Sequence, residues 1–299
     1  LGEVVLEKKR RENKESMKVI TSIRKMKDVI RELRAEKKTI GFVPTMGYLH
    51  EGHLSLVRES RKKADSTIVS IFVNPLQFGP KEDFKQYPRD IESDEALLDK
   101  EGVDYLFYPE VKEMYPEGYK TYVEVNGLQD KLCGQSRPRH FRGVCTVVLK
   151  LFHIVEPDLS FFGQKDIQQA VILQRMVRDL NLDVKIEVLP TIREKDGLAL
   201  SSRNKYLNPE ERKAALVLFK SLKEAEKLVE RGERKSEWII EKMRNIIDKE
   251  PLAKIDYVEI VDRNELNPLK EISEGALIVL AVFIGKTRLI DNLLIQRKR

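Results

Sequence analysis

Apolar and polar positions along the chain alternate between strand-like runs and helix-like stripes. A charged helix is predicted over 21–36, followed by a short buried strand, Ile40 to Val43. Pro44-Thr45-Met46-Gly47 then turns the chain into a helix starting near Gly52 that carries Leu54, Leu56 and Val57. Thr67 to Val73 (TIVSIFV) is rich in β-branched residues and reads as the next strand. A helix near 90–101 leads to a third strand, Asp104 to Tyr108. Further on come a helix near 141–154, a strand near 158–162, and a helix near 166–181 with Leu173, Met176, Val177 and Leu180 at i, i+3, i+4 and i+7. A strand at Val184 to Val188 is ended by Pro190. This is the order of an α/β, Rossmann-like parallel sheet covered by helices. Such sheets bind ligands at the carboxyl ends of their strands, so the segments after Val43 and Val73 are placed to meet one.

The character shifts after about residue 192. Asn208 reads as a helix cap with Pro209 at the first position. The stripe Ala215, Leu218, Phe219 and Leu222 reads as core or dimer interface, and Gly232 stops the helix. A second helix from about Ser236 and two strands, Ile255 to Val261 and Ala276 to Phe283, complete a smaller α+β domain. The expected division is a charged extension over 1–16, a Rossmann-like domain over 17–191 and a C-terminal α+β domain over 192–299.

A length of 299 residues suits this division. The net charge of +6 implies either a solvated basic surface or a phosphate-bearing partner. No RNP, zinc-finger or KH signature is present, so nucleic acid is disfavoured as that partner. The two cysteines, Cys133 and Cys145, fit neither a disulfide framework nor a zinc cluster, which favours a reducing, cytoplasmic setting. No apolar run reaches the length of a membrane span, and residues 1–16 lack a signal-peptide core.

Two of the four histidines stand in His50-Glu51-Gly52-His53, where a strand hands over to a helix. A helix N-terminus offers free N–H groups and the positive end of a dipole, both favourable to phosphate. Two imidazoles add donors there, and Gly47 and Gly52 let backbone approach a ligand. Zinc is the poorer reading, since the HExxH motif needs i, i+4 spacing and these histidines are three apart. Leu200-Ser201-Ser202-Arg203-Asn204 supplies two hydroxyls and a guanidinium, and Phe162-Gly163-Gln164-Lys165-Asp166 lies at a strand end opening a helix. After the second strand, Asn74 and Gln77 are neutral hydrogen-bonding groups among apolar neighbours, which suits a small hydroxylated acid. Ser136 to Gly143 (SRPRHFRG) is a basic turn ahead of a helix. His153, on an apolar helix, reads as a packing residue.

PTMGYLHEGHLSLV (Pro44 to Val57) resembles the HxGH signature of the nucleotidyltransferase superfamily. Taken in order with IFVNPLQFGP, RPRHFRGV, FFGQKDIQQ, DGLALSSRN and the closing Arg288-Leu289-Ile290-Asp291-Asn292, it resembles the pantoate–β-alanine ligase family. The sequence departs from that pattern at Arg139, where the family usually has glycine, and at Leu76, often methionine or threonine. The resemblance implies two steps. Pantoate and ATP give pantoyl adenylate and pyrophosphate, then β-alanine displaces AMP. It assigns His50, His53, Lys165 and Arg203 to catalysis, with His53 as proton donor. It assigns Met46, Gly47, Gly163, Gln164, Asp166, Ile192, Leu200, Ser201 and Ser202 to ATP as well, and Gln77, Gln169 and Asn74 to pantoate and β-alanine. It further implies Mg²⁺ carried by the ATP phosphates, a C-terminal domain acting as a lid, and a homodimer. An adenylyltransferase acting on a phosphate-bearing acceptor and a non-enzymatic RNA-binding protein are the alternatives.

Overall fold

The computed structural model describes residues 16–80, 82–272 and 274–295. The charged extension lies outside them except for Ser16. The first element among the described residues is β1 (Lys18–Ile20), a strand that periodicity did not predict. Helix α1 (Ile23–Ala35) starts at Ser22, whose side chain accepts from Lys25 N, and buries Met26, Ile30 and Leu33 on one face. Then follow β2 (Ile40–Thr45), α2 (Glu51–Lys63), β3 (Ser66–Ile71), α3 (Ile91–Glu101), β4 (Tyr105–Phe107), and two short helices, α4 (Val111–Met114) and α5 (Cys133–Ser136). Next are α6 (His140–Val155), β5 (Leu159–Gly163), α7 (Ile167–Asp179) and β6 (Lys185–Leu189). The six strands form one parallel sheet in the order β1-β4-β3-β2-β5-β6. Strand β3 (STIVSI) is buried at all six positions, as fits a strand rich in β-branched residues and covered on both faces.

The chain continues with α8 (Pro209–Ala214), α9 (Leu216–Glu230) and α10 (Ser236–Ile247), then an antiparallel sheet β7 (Ala253–Val261), β8 (Leu277–Ile284), β9 (Thr287–Leu294) in that order. The single helix expected after Asn208 is two, meeting at Ala215. Three residues of the stripe belong to the core: Ala215, Leu218 and Leu222 pack with Ile239, Met243 and the inner face of β8, whereas Phe219 stands outside that cluster with the Arg193 guanidinium over its ring. Two expectations fail. His153 is exposed rather than packed, because it falls on the solvent side of α6. Leu180 is 47% exposed, because α7 ends one residue before it.

Strand order reverses at β2: β3 and β4 extend the sheet on one side, β5 and β6 on the other. The crevice outside β2 and β5 is therefore the topological switch point, where backbone ends of neighbouring loops diverge and leave room for a ligand.

Candidate active site

The turn after β2 is held from below. Thr45 Oγ1 donates to Ser70 O at 2.8 Å and accepts from Gly47 N at 3.1 Å. Buried Asp94 on α3 accepts from Tyr48 N and Leu49 N, both at 2.7 Å. Burial raises the Asp94 pKa, partly offset by these two backbone donors. Gly47 has φ +81°, and a Cβ there would stand 2.9 Å from Ile71 and 3.0 Å from the Asp94 carboxylate. The turn thus needs glycine for both conformation and space.

The histidines cap α2 reciprocally. His50 Nδ1 accepts from Gly52 N at 3.1 Å, and His53 Nδ1 accepts from His50 N at 3.3 Å. Imidazoles fill the roles that Ser and Glu take in an ordinary capping box. Because each Nδ1 accepts, the neutral tautomer carries its proton on Nε2, assigned from the hydrogen bonding. The rings lie 4.1 Å apart. Burial pushes the His50 pKa down to about 4, with Lys165 adding to the effect. Burial, then His50 and Lys165, hold His53 well below its ordinary value. Both are neutral donors at neutral pH.

A cavity of about 220 Å³ opens at the strand ends. Its walls include Met46, His50, His53, Asn74 and Gln77 from one side. Gly163, Lys165, Asp166, Gln169, Ile192 and Leu200 close the other, with Ser201, Ser202 and Arg203 alongside. Gly47 and Gln164 stand outside these walls: Gly47 shapes the turn, and Gln164 Nε2 donates to Asn292 Oδ1 at 3.2 Å. The cavity adjoins a larger cleft of about 900 Å³, which shares Lys165, Gln169, Ser201 and Arg203 with it and is walled across by β8 and β9.

Gln77 is 8% exposed and held on several sides. Buried Asn74 donates to Gln77 Oε1 at 3.1 Å and to Gly143 O at 3.0 Å. Tyr115 donates its hydroxyl to Asn74 Oδ1 at 2.9 Å. Gln77 Nε2 faces Met46 Sδ at 3.0 Å, a weak acceptor that leaves the amide able to serve a ligand.

Several residues here were given no role from the sequence. His140 Nδ1 donates to Gln77 O at 2.8 Å, and its Nε2 accepts from Arg137 Nη1 at 3.1 Å. Burial, then Arg137, push the His140 pKa down to about 3. Arg137 forks onto Glu82 at 2.9 and 2.5 Å, and Arg203 forks onto Asp83 at 3.1 Å on both prongs. Only the basic run ahead of α6 hinted at Arg137 and His140. Arg139, which departs from the family pattern, has φ +68°, so the left-handed conformation is retained without glycine.

The neutral histidines should contribute to loss of stability in acid. Their folded pKa values lie below the ordinary 6.5, so the unfolded chain binds more protons and stability falls with falling pH. The loss should begin near 6.5 and continue until the folded groups titrate, about 4 for His50 and about 3 for His140. Urea midpoints should therefore drop from about pH 7 to about pH 4.5. Equal midpoints would contradict it.

The family model for pantoate-beta-alanine ligase matches residues 18–294. The chain belongs to that family. It is 56% identical over 280 residues to the pantothenate synthetase of Caldicellulosiruptor saccharolyticus, covering 94% of this chain and all of that protein. It is 58% identical to that of Thermotoga petrophila, covering 92% and 99%. The fold matches the pantothenate synthetase of Thermus thermophilus with a TM-score of 0.90 at 44% identity, over 94% of this chain and 100% of the other. It also matches the Francisella tularensis ligase complexed with beta-gamma ATP and beta-alanine, with a TM-score of 0.77 at 35% identity over 93% and 98%. Pantoate–β-alanine ligases form pantothenate with consumption of ATP, so this chain is an ATP-using ligase.

Proposed function

We propose that the crevice outside β2 and β5 makes pantoyl adenylate and then passes the pantoyl group to β-alanine. The observation that carries this is the convergence of His50, His53, Lys165 and Arg203 beside the neutral amide of Gln77 in one cavity. In the first step a pantoate carboxylate oxygen attacks the α-phosphorus, and the bond to the bridging oxygen breaks to release pyrophosphate. Charge builds on the phosphate oxygens, and the donors that meet it are the Nε2–H groups of His50 and His53, the Lys165 ammonium and the Arg203 guanidinium, whose Nε and Nη2 are held by Asp83 and whose Nη1 is the group left for phosphate. In the second step the β-alanine amine forms the C–N bond, the acyl C–O bond breaks, and AMP leaves while the amine releases a proton to solvent. Ser201 and Ser202 add hydroxyls for phosphate; Ile192 and Leu200 close over the nucleoside beside Thr191, whose buried Oγ1 has no partner among the described residues. Asp166 and Gly163 border the nucleotide from β5. Gln77, with Gln169 and the Asn74 behind it, addresses pantoate.

Among the described residues no group of three or more His, Cys, Asp or Glu could hold a metal ion. Mg²⁺ would be carried by the phosphate oxygens, where it neutralises charge. Residues 192–299 are proposed as a lid domain, since β8 and β9 wall the larger cleft opposite Lys165. A homodimer through the N-terminal domain is proposed on the exposed Val19, Tyr108 and Val111 near the β1 edge, and a monomer mass by light scattering would remove it. Both cysteines are free and buried, which supports a cytoplasmic setting. No helix among the described residues is long and apolar enough to cross a membrane.

Mass spectrometry of products with ATP, pantoate and β-alanine, each omitted in turn, tests the reading. Pantothenate should need all three, and pantoyl adenylate should build up without β-alanine. Gln77→Ala should raise KM for pantoate far more than for ATP. The unmodified protein should reject a deoxy-pantoate by more than about tenfold, because the site's own polar groups are left unpaired. Equal use of the deoxy analogue would remove Gln77 from the acid site.

A further inference from the structure

The closing motif Arg288 to Asn292 has no part in the reaction described so far, yet it contains two buried polar residues side by side in a strand. Asp291 is 3% exposed and Asn292 is 2% exposed. Neighbours in a strand point to opposite faces. Strand β9 is the edge of its sheet, and its two side chains meet the segments around Arg193 and Gln164.

On one face, Asp291 accepts from Arg193 Nη1 at 2.6 Å and Nη2 at 2.9 Å. Arg193 Nη1 also donates to Gly197 O at 3.1 Å. That guanidinium braces a small hairpin in which Glu194 N donates to Leu198 O at 2.8 Å and Leu200 N to Ile192 O at 3.0 Å. The hairpin's base carries the nucleoside walls Ile192 and Leu200 and runs straight into Ser201, Ser202 and Arg203. On the other face, Asn292 Nδ2 donates to Gln164 O at 2.8 Å and to Lys165 O at 3.0 Å, while its Oδ1 accepts from Gln164 Nε2 at 3.2 Å. Every polar atom of the Asn292 side chain is therefore engaged by the turn that projects Lys165.

We propose that Asp291 and Asn292 are positioning residues for ATP: one strand, inserted between the two phosphate-binding segments, sets their separation, Asn292 through Lys165 and Asp291 through the hairpin before Arg203. This rests on the assignment of Lys165 and Arg203 to the phosphates. Both border the larger cleft, and on this proposal they act through Lys165 and the hairpin rather than on substrate themselves. The amide is required at 292 because two carbonyls converge on one nitrogen with two hydrogens. A carboxylate of the same shape would face two carbonyl oxygens, and a neutral acid could satisfy only one of them. Burial makes the unmet carbonyl costly to leave in place, so the 164–165 turn should shift.

The test is Asn292→Asp. Expected are a rise in KM for ATP of about tenfold or more, KM for β-alanine within about twofold of the unmodified protein, and a Tm within a few degrees. Lys165→Ala should impair ATP use by itself, and the double variant Lys165→Ala/Asn292→Asp should be little worse than Lys165→Ala, since residues acting through one another do not add. Should Asn292→Asp fail to fold, Asn292→Ala removes the donor without adding charge and carries the same comparison. A lowered Tm with unchanged KM for ATP, or losses that add in the double variant, would overturn the inference. Ordinary ATP kinetics in Lys165→Ala would remove the phosphate assignment and the inference together. An impaired Lys165→Ala beside an ordinary Asn292→Asp would remove the inference alone.

Discussion

His53→Ala lowers the rate of adenylate formation by about 100-fold or more, the loss expected for one positioned donor to transition-state charge, while the protein stays folded. His53 sits at the third residue of α2, in the wall of the cavity and outside the core clusters. Its removal opens no core void. It does leave His50 N without its 3.3 Å partner, a capping loss of about 1 kcal/mol and so a few degrees of Tm. The tautomer sharpens the test. His53 Nδ1 is occupied as an acceptor, so Nε2–H is the group left for phosphate. A glutamine amide can place an N–H near the Nε2 position, whereas the shorter asparagine reaches only the Nδ1 position. His53→Gln should therefore retain more activity than His53→Asn. Rapid-quench measurement of pyrophosphate release in the three variants decides this. Turnover unchanged in a folded His53→Ala would take His53 out of the mechanism, and Asn outperforming Gln would reverse the tautomer.

The strands that build the switch point were legible because their physics is local. A short segment rich in β-branched and apolar residues, such as β3, has few ways to be buried except in a covered parallel sheet. The segments proposed as catalytic stood out for a related reason: strand-to-helix turns with glycine and phosphate-seeking side chains sit at fixed offsets from those strands. What escaped depends on partners distant in sequence. Strand β1 is three residues long and exists only because β4 offers it an edge. The apolar pattern of β9 is interrupted by Asp291 and Asn292, polar residues that look wrong for a buried strand until Arg193 and the 164–165 turn are brought to them. The pairing of Arg203 with Asp83 and of Arg137 with Glu82 likewise joins segments 120 and 55 residues apart, which no periodicity can signal. Arg139 is an instructive intermediate. Its departure from glycine was visible in the sequence, but that the backbone would keep φ +68° was not.

Gly143→Ala should be the second large loss, and local reasoning gives it the wrong sign. Within a helix, alanine is favoured over glycine by about 1 kcal/mol, so propensity alone forecasts a stabilised α6. The packing opposes this. A Cβ on Gly143 would lie 2.3 Å from Leu76 O, 2.4 Å from Leu76 C and 2.6 Å from Gln77 N. These are backbone atoms, so no rotamer change relieves the contact. Either α6 or the 75–77 turn must move, at an overpacking cost of about 1–3 kcal/mol that exceeds the propensity gain. Whichever moves, Gln77 moves relative to its supports. Gly143 O is the acceptor for Asn74 Nδ2, the same amide that orients Gln77 Oε1, and His140 at the start of α6 holds Gln77 O. A displacement of about 1 Å at a substrate-positioning group can cost about 100-fold in rate. Gly143→Ala should accordingly lower kcat/KM for pantoate by about that factor, reduce Tm by a few degrees, and raise KM for ATP much less, because Lys165, Ser201, Ser202 and Arg203, proposed for the phosphates, lie across the cavity from this contact. A Tm that rises as propensity predicts, with pantoate kinetics intact, would show that α6 slides freely over the turn and that Gln77 does not depend on the close approach for its position.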